Sequence, residues 1–467
     1  MSDRVDITPL RVGSPAASGV AELGQRLSPA LRVLAGNDLS RFQLVREGSD
    51  PGRKVLARYA AVPSLADPRA LLALDVTPAA WRAALAPHAA GAAGRKARFA
   101  ARLLGVATHL GLGAAPFRDR VALVSRFNED EAPLHAFLRD ALGIADFHTN
   151  FRLAPGRPNS KPVVQIVSRD GKALAFAKFG WDSLTQTLIR TEAATLRALA
   201  DTTRTGPIHV PKVLFADRWN DLEVLVVAPL ADMGRAPWRS ESEVTEAAIA
   251  LAVLGETGRA RLGDSAFWSG LSAAVDRLSP LLDPPTSAAV RAALDWLGRE
   301  WGGTEVELGL SHGDWIPPNI SIRRDGTFNV WDWERSEAGV PAGLDTLQFV
   351  LFDELRKSSP SPELVRRVER RGGQALADQG LEPDLARLLA ALSLLRSILW
   401  YGEAIEAKRA GAEDSRFVQA LEIILAKSRN ALPRDHGPTV IDQRPSTFPS
   451  RSRRTNSFKM QVSSHEN

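Results

Sequence analysis

A chain of 467 residues, 44% hydrophobic and 24% charged, is long enough to bury two or three cores, and its composition excludes wholesale disorder. The absence of cysteine excludes a disulfide framework, a zinc thiolate site and a thiol nucleophile, and fits a reducing, cytoplasmic setting. Residues 434–467 hold six basic and three acidic side chains, so this segment carries +3 of the net +5 and the body is nearly neutral. That weighs against a nucleic-acid-binding body.

Residues 1–125 carry few chemical signals. Met1 to Gly13 has no apolar signal core. Lys54 to Val62 reads as a strand, and Thr77-Pro78 opens a helix with Thr as N-cap and Pro in the first turn. A second helix is expected from Gly94 to Leu110, where Phe99, Leu103, Val106 and Leu110 share one stripe. Its basic start, Arg95, Lys96, Arg98 and Arg102, reads as a solvated face. The region is expected to be a small α/β unit of unknown role that docks on or regulates the rest of the chain.

From about Asp130 the pattern changes. Leu134, Phe137, Leu138 and Ala141 mark a helix closed by Gly143. Three strands follow, Phe147 to Leu153, Pro162 to Arg169 and Lys172 to Phe179, the last two joined by the hairpin signal Asp170-Gly171. On the third strand Lys178 shares a face with Leu174 and Phe176. On the next helix, Ser183 to Leu199, Glu192 falls between Leu188 and Leu196 in the apolar stripe. Two opposite charges placed in apolar rows suggest a pair, although a snorkelling lysine and an exposed glutamate fit these residues alone equally well. The loop from Ala154 to Lys161 holds one glycine and two prolines, so few N–H groups can form a phosphate nest. Leu222 to Val227 reads as a buried strand running into Ala228-Pro229-Leu230.

Beyond this point the spacing predicts helices over Glu243 to Leu254, Ser287 to Trp301, Pro362 to Arg371 and Leu385 to Ala407. The last is the most apolar stretch, but Arg387, Ser393 and Arg396 interrupt it, so it is read as a packed helix, with no membrane span. Between these helices, Glu305 to Leu310 alternates as a strand and leads into Ser311-His312-Gly313-Asp314-Trp315-Ile316-Pro317-Pro318-Asn319. The two prolines forbid a helix there and leave Asp314 on a loop at a strand end. Ile320 to Arg323 and Thr327 to Trp331 flank Arg324-Asp325-Gly326, a three-residue hairpin loop with glycine at the left-handed position. That register sets Ile320 opposite Val330 and Ile322 opposite Phe328. It brings Asn319 and Asp332 together at the hairpin root, an amide and a carboxylate of the type Mg²⁺ accepts when phosphates and water complete its shell.

His312-x-Asp314, then Asn319, then Asp332 after a hairpin, resembles the aminoglycoside phosphotransferase and choline kinase group, which shares the protein-kinase fold. The resemblance covers about residues 130–432. It implies an α+β bilobal protein-kinase-like fold, with a small antiparallel sheet lobe plus one helix (130–230) and a larger, mostly helical lobe (231–432). A small α/β region (1–125) precedes it and a disordered basic tail (433–467) follows. By the same resemblance Asp314 is the catalytic residue that orients or deprotonates the acceptor hydroxyl, and Asn319 and Asp332 are the metal ligands holding Mg²⁺ on ATP. Lys178, held by Glu192, meets the α- and β-phosphates, and the backbone of Ala228 and Leu230 receives adenine at the interlobe hinge. His312 and Asp345, in Gly343-Leu344-Asp345-Thr346, brace the loop. Glu334 and Glu337 are candidates to face the acceptor, whereas Trp315, Trp331 and Trp333 are read as packing. The glycine-poor loop departs from the protein-kinase pattern. The implied activity is ATP-dependent transfer of the γ-phosphate to a small-molecule hydroxyl, on an aminoglycoside, sugar or amino-alcohol. The alternative is a pseudokinase that binds nucleotide or a partner without turnover. The expected partners are ATP, Mg²⁺ and the acceptor, with no membrane and no nucleic acid; the sequence leaves the oligomeric state open.

Overall fold

The structure, a computed structural model, describes residues 27–50, 52–77, 81, 117–127, 129–153, 161–200, 206–231, 241–255, 257–408 and 415–429. The helix expected over 94–110, the loop 154–160 and the tail 433–467 lie outside these residues.

A helix over residues 27–34 (α1) is followed by strands Phe42–Arg46 (β1), Val55–Pro63 (β2), Pro68–Ala73 (β3) and Arg120–Ser125 (β4). Pro133 at the start and Gly143 at the end, in the left-handed conformation, delimit helix Pro133–Leu142 (α2). Strands His148–Arg152 (β5), Val163–Val167 (β6) and Ala173–Gly180 (β7) come next, with Gly171 at φ 87° turning the β6–β7 hairpin. Helix Ser183–Leu199 (α3) starts where Asp182 caps it: the Asp182 carboxylate accepts from the Thr185 N–H at 2.9 Å, and the Thr185 hydroxyl oxygen accepts from the Asp182 N–H. Ile208–His209 (β8), Val213–Trp219 (β9) and Leu222–Val227 (β10) complete this half.

The N-terminal region does not stand beside the small lobe; it supplies four strands of its sheet. β3 and β5 pair antiparallel, with Ala70 opposite Arg152 and Leu71 opposite Phe151. Nine strands therefore run in one sheet, in the order β1-β4-β2-β3-β5-β6-β7-β10-β9. One core lines the length of one face, with Leu34, Leu71, Leu123, Leu134, Phe151 and Phe179 buried in one cluster, while Ala60, Ala70, Leu72, Trp81 and Phe117 form a separate cluster. The change of pattern near residue 130 thus marks a boundary in sequence that the sheet and its core cross without a break.

The other half is mostly helical: Glu241–Ala252 (α4), Ala266–Leu278 (α5), Pro284–Trp301 (α6), Leu344–Lys357 (α7), Pro362–Asp378 (α8), Leu385–Glu406 (α9) and Ser415–Arg429 (α10). α9 is long and apolar enough to cross a membrane by length and composition, yet Leu388, Leu392, Leu395 and Ile398 pack inside the helical core. Its charged interruptions face partners at the rim, Arg387 pairing with Glu369 at 2.7 Å and Arg396 with Glu337 at 3.0 Å. Strands Gly258–Arg261 (β11), Glu305–Ser311 (β12) and Glu337–Pro341 (β15) form a small sheet in the order β11-β12-β15. Ile320–Ile322 (β13) and Phe328–Val330 (β14) form the hairpin, and β8 adds to β14 in parallel.

A further core joins the halves. Ile189, Ala193 and Leu196 of α3 and Leu225 of β10 pack with Ile320, Phe328, Val330 and Trp333. The hinge end is tied down by the Asn329 side-chain amide, which donates to the Ala231 carbonyl at 2.6 Å.

Candidate active site

The hairpin has the register that its turn chemistry dictates. Ile320 faces Val330, Ser321 faces Asn329 and Ile322 faces Phe328, with Gly326 at φ 83° in the turn. The ladder continues one step further, where the Trp331 N–H donates to the Asn319 carbonyl at 3.1 Å. Asn319 and Asp332 consequently leave the two roots of one hairpin. Asp332 sits at φ 72°, ψ 52°, the left-handed region that a short polar side chain tolerates better than most. From there the backbone enters the turn Trp333–Arg335.

The loop that carries Asp314 is fixed from three sides. The Asp345 carboxylate accepts from the Ser311 hydroxyl at 2.8 Å, the His312 N–H at 2.7 Å and the Gly313 N–H at 3.1 Å. The buried Gln348 side chain accepts from the Trp315 N–H at 2.7 Å and donates to the Gly313 carbonyl at 2.8 Å. His312 is buried between Trp315 and Trp333; its Nε2–H donates to the Trp331 carbonyl at 3.0 Å and its Nδ1 accepts from the Asp314 N–H at 3.2 Å. Burial lowers its pKa despite the carboxylate of Asp345, so the ring is neutral and serves as a strut. Gly313, at φ 79°, abuts the turn after Asp332: a Cβ here would lie 2.1 Å from the Arg335 carbonyl oxygen. Only glycine fits both the dihedral and the gap.

Asp314 itself accepts from the Asn319 side-chain amide at 2.8 Å, and the same amide nitrogen donates to the Asp314 carbonyl at 2.9 Å. Both hydrogens of that amide point to Asp314, which leaves the Asn319 side-chain oxygen as an acceptor. Burial, reinforced by the negative charge of Asp332, raises the Asp314 pKa to about 7, against the opposing bond from Asn319. A carboxyl poised there exchanges protons readily near neutral pH.

The lysine and glutamate meet. Lys178 Nζ donates to both oxygens of Glu192, at 2.8 and 2.7 Å, and also to Asp332 at 2.6 Å. Glu192 is only 2% exposed, so an unpaired carboxylate there would be costly. Burial alone would lower the Lys178 pKa, but Asp332, Glu192 and Glu334 outweigh it and raise the pKa, so the lysine stays charged. Asp332 is driven the other way: desolvation pushes its pKa up, while Lys178 and Lys161 more than reverse this and hold it ionised.

Ala228 and Leu230 are half-buried in the extended stretch after β10. The Ala228 N–H is already committed to the Lys212 carbonyl at 2.8 Å, so of this residue only the carbonyl is offered to a ligand. Trp315 and Trp333 are fully buried. Glu334 departs from the expectation that it faces an acceptor, whereas Glu337 is exposed. Glu334 is buried against Lys161 in an ion pair, because it turns inward with the short helical turn, and Glu337 pairs with Arg396. Three side chains of the site were not singled out from the sequence. Gln348 lies one turn after Asp345, a spacing that places both on one helix face. Lys161 and Arg335 carry no such local signal; Arg335 stacks on Trp400 at 4.7 Å and pairs with Glu403.

Glu192, Asp332 and Glu334 bring carboxylate oxygens within 4.8 Å of one another. These are hard oxygen donors, each paired with a lysine ammonium, Glu192 and Asp332 with Lys178 and Glu334 with Lys161.

No protein-family model matches the sequence, and no curated protein matches it. Solved structures do. The aminoglycoside phosphotransferase APH(4)-Ia aligns at 15% identity and TM-score 0.44 over 63% of this chain and 97% of its own. Choline kinase LicA from Streptococcus pneumoniae aligns at 14% identity and TM-score 0.44 over 62% and 98%. The ADP-bound aminoglycoside phosphotransferase APH(2'')-Ib aligns at 12% identity and TM-score 0.37 over 62% and 95%. The fold is α+β, a nine-stranded antiparallel sheet with a mostly helical half. At such low identity the chemistry has to be read from the side chains themselves.

Proposed function

We propose that this protein is an ATP-dependent phosphotransferase that moves the γ-phosphoryl group to a hydroxyl of a small molecule. The observation that carries the reading is the junction at Lys178, which joins Glu192 of the small lobe to Asp332 of the large one, with Asp314 close enough to Asp332 to feel its charge. Phosphoryl transfer needs positioning and charge stabilisation above all, and this arrangement supplies both. Lys178 places a fixed positive charge for phosphate oxygens. The Ala228 carbonyl and the Leu230 backbone offer polar groups to adenine. Asp332 and the Asn319 oxygen would hold Mg²⁺, which when bound neutralises charge on the phosphates. Asp314 orients the acceptor hydroxyl and takes its proton as the acceptor oxygen bonds the γ-phosphorus and the bridging oxygen leaves with ADP.

The test is ADP release from ATP and Mg²⁺ across a panel of sugars, amino alcohols and aminoglycosides. Acceptor-dependent release that disappears in Asp314→Asn supports the reading. Nucleotide binding with no turnover on any acceptor would favour the alternative, a pseudokinase.

A further inference from the structure

Lys161 lies immediately ahead of β6, at the end of the loop that joins the first two strands of the small lobe proper. Its ammonium pairs with the carboxylate of Glu334, two residues past Asp332, and the two side chains are 6% and 5% exposed. The pair thus ties the start of β6 to the turn that follows Asp332. We propose that Lys161 is a second phosphate-binding cation of the nucleotide site, held by Glu334 until the phosphates take it over. The proposal rests on the phosphotransferase reading above.

Three observations carry it. A buried ion pair contributes little to stability, since desolvation of both ions offsets their attraction, and two apolar residues of similar volume would serve a scaffold as well or better. The charges belong to the site: Lys161 pairs with Glu334, which brings a carboxylate oxygen within 4.8 Å of those of Glu192 and Asp332, and Lys178 bonds both of these. Among the described residues of this cluster the carboxylates of Glu192, Asp332 and Glu334 outnumber the ammonium groups of Lys161 and Lys178, so a phosphate competes with carboxylates for these positive charges. Finally, two of the residues that precede Lys161 in the sequence, Pro155 and Pro158, have no N–H group to offer a phosphate. Lys161 brings an ammonium with three donors instead.

The experiment is calorimetric titration of the full chain with ATP and with adenosine, with and without Mg²⁺. Lys161→Met/Glu334→Leu removes both charges while keeping bulk, so it folds even where Lys161→Met alone does not. It is expected to bind ATP roughly tenfold or more weakly, as loss of a direct charge contact does, and adenosine within about twofold of wild type. Glu334→Gln, which removes the competitor, is expected to tighten ATP binding in the absence of Mg²⁺. A double variant that binds ATP like wild type, or a Glu334→Gln variant that binds it more weakly without Mg²⁺, overturns the proposal. If wild type binds ATP and Lys178→Met weakens it while the double variant does not, only this inference fails. If wild type binds no ATP, the phosphotransferase reading fails with it.

Discussion

Lys178 and Asp332, 154 positions apart in sequence, are held at 2.6 Å by an ion pair that closes one lobe onto the other. Because Glu192 takes the remaining donors of the same ammonium, the three side chains act as one unit. Lys178→Met and Glu192→Gln should each weaken productive ATP use, and the double variant should lose much less than the sum of the two free-energy losses. The check is a double-mutant cycle on kcat/KM for ATP; additive losses would mean that the pair does not function as a unit.

Asp314→Asn should reduce turnover by roughly two to four orders of magnitude while leaving nucleotide affinity near wild type, since its work is on the acceptor. For the wild type, kcat/KM for the acceptor should rise with pH through about 7, as the raised carboxyl loses its proton. A rate that falls over this range would assign the group another role.

The same raised pKa makes a statement about stability. A carboxyl raised in the folded state above its unfolded value costs nothing when both states are protonated; its cost appears above the unfolded pKa and is full above about 7. Asp314→Asn should therefore raise Tm at pH 8 by several degrees and at pH 4 by little, as a thermal melt at each pH will read. Equal shifts at both pH values would contradict it.

Metal and nucleotide should bind together. Mg²⁺ parts with its water reluctantly and takes few protein ligands when phosphates are available. Thermal stabilisation should be small with ATP or Mg²⁺ alone and larger with both. Asp332→Ala should remove that extra increment, Asn319→Ala should weaken it, and Asp314→Asn should largely keep it. Retention of the full increment in Asp332→Ala would exclude the metal site proposed here.

Much of the site was legible because its signals are local. The hairpin register follows from Gly326 and the alternation of Ile320, Ile322, Phe328 and Val330, so the placing of Asn319 and Asp332 at its two roots needed no knowledge of the fold. Lys178 and Glu192 were each conspicuous as a charge in an apolar row, and their encounter required only that β7 and α3 pack together. What escaped notice depends on contacts between distant segments. Lys161 and Glu334 are 173 residues apart, and neither breaks a pattern in its own neighbourhood. The pairing of β3 with β5 was equally invisible, since an edge strand is distinguished from a central one by its neighbour and not by its own residues. The short β8 added to the hairpin is two residues long, below what any periodicity can register.

The glycine at 313 leaves a trace that genetics can read. Every change of its codon that alters the residue adds a Cβ at a place where the Arg335 carbonyl already stands, so this position has no conservative neighbours. In a saturation library selected for activity, variants at 313 should vanish as completely as those at Asp314, whereas Gly326, with nothing within 4 Å of the same point, should tolerate asparagine. The silent residue of the loop would then be as intolerant as the one proposed to take the acceptor's proton.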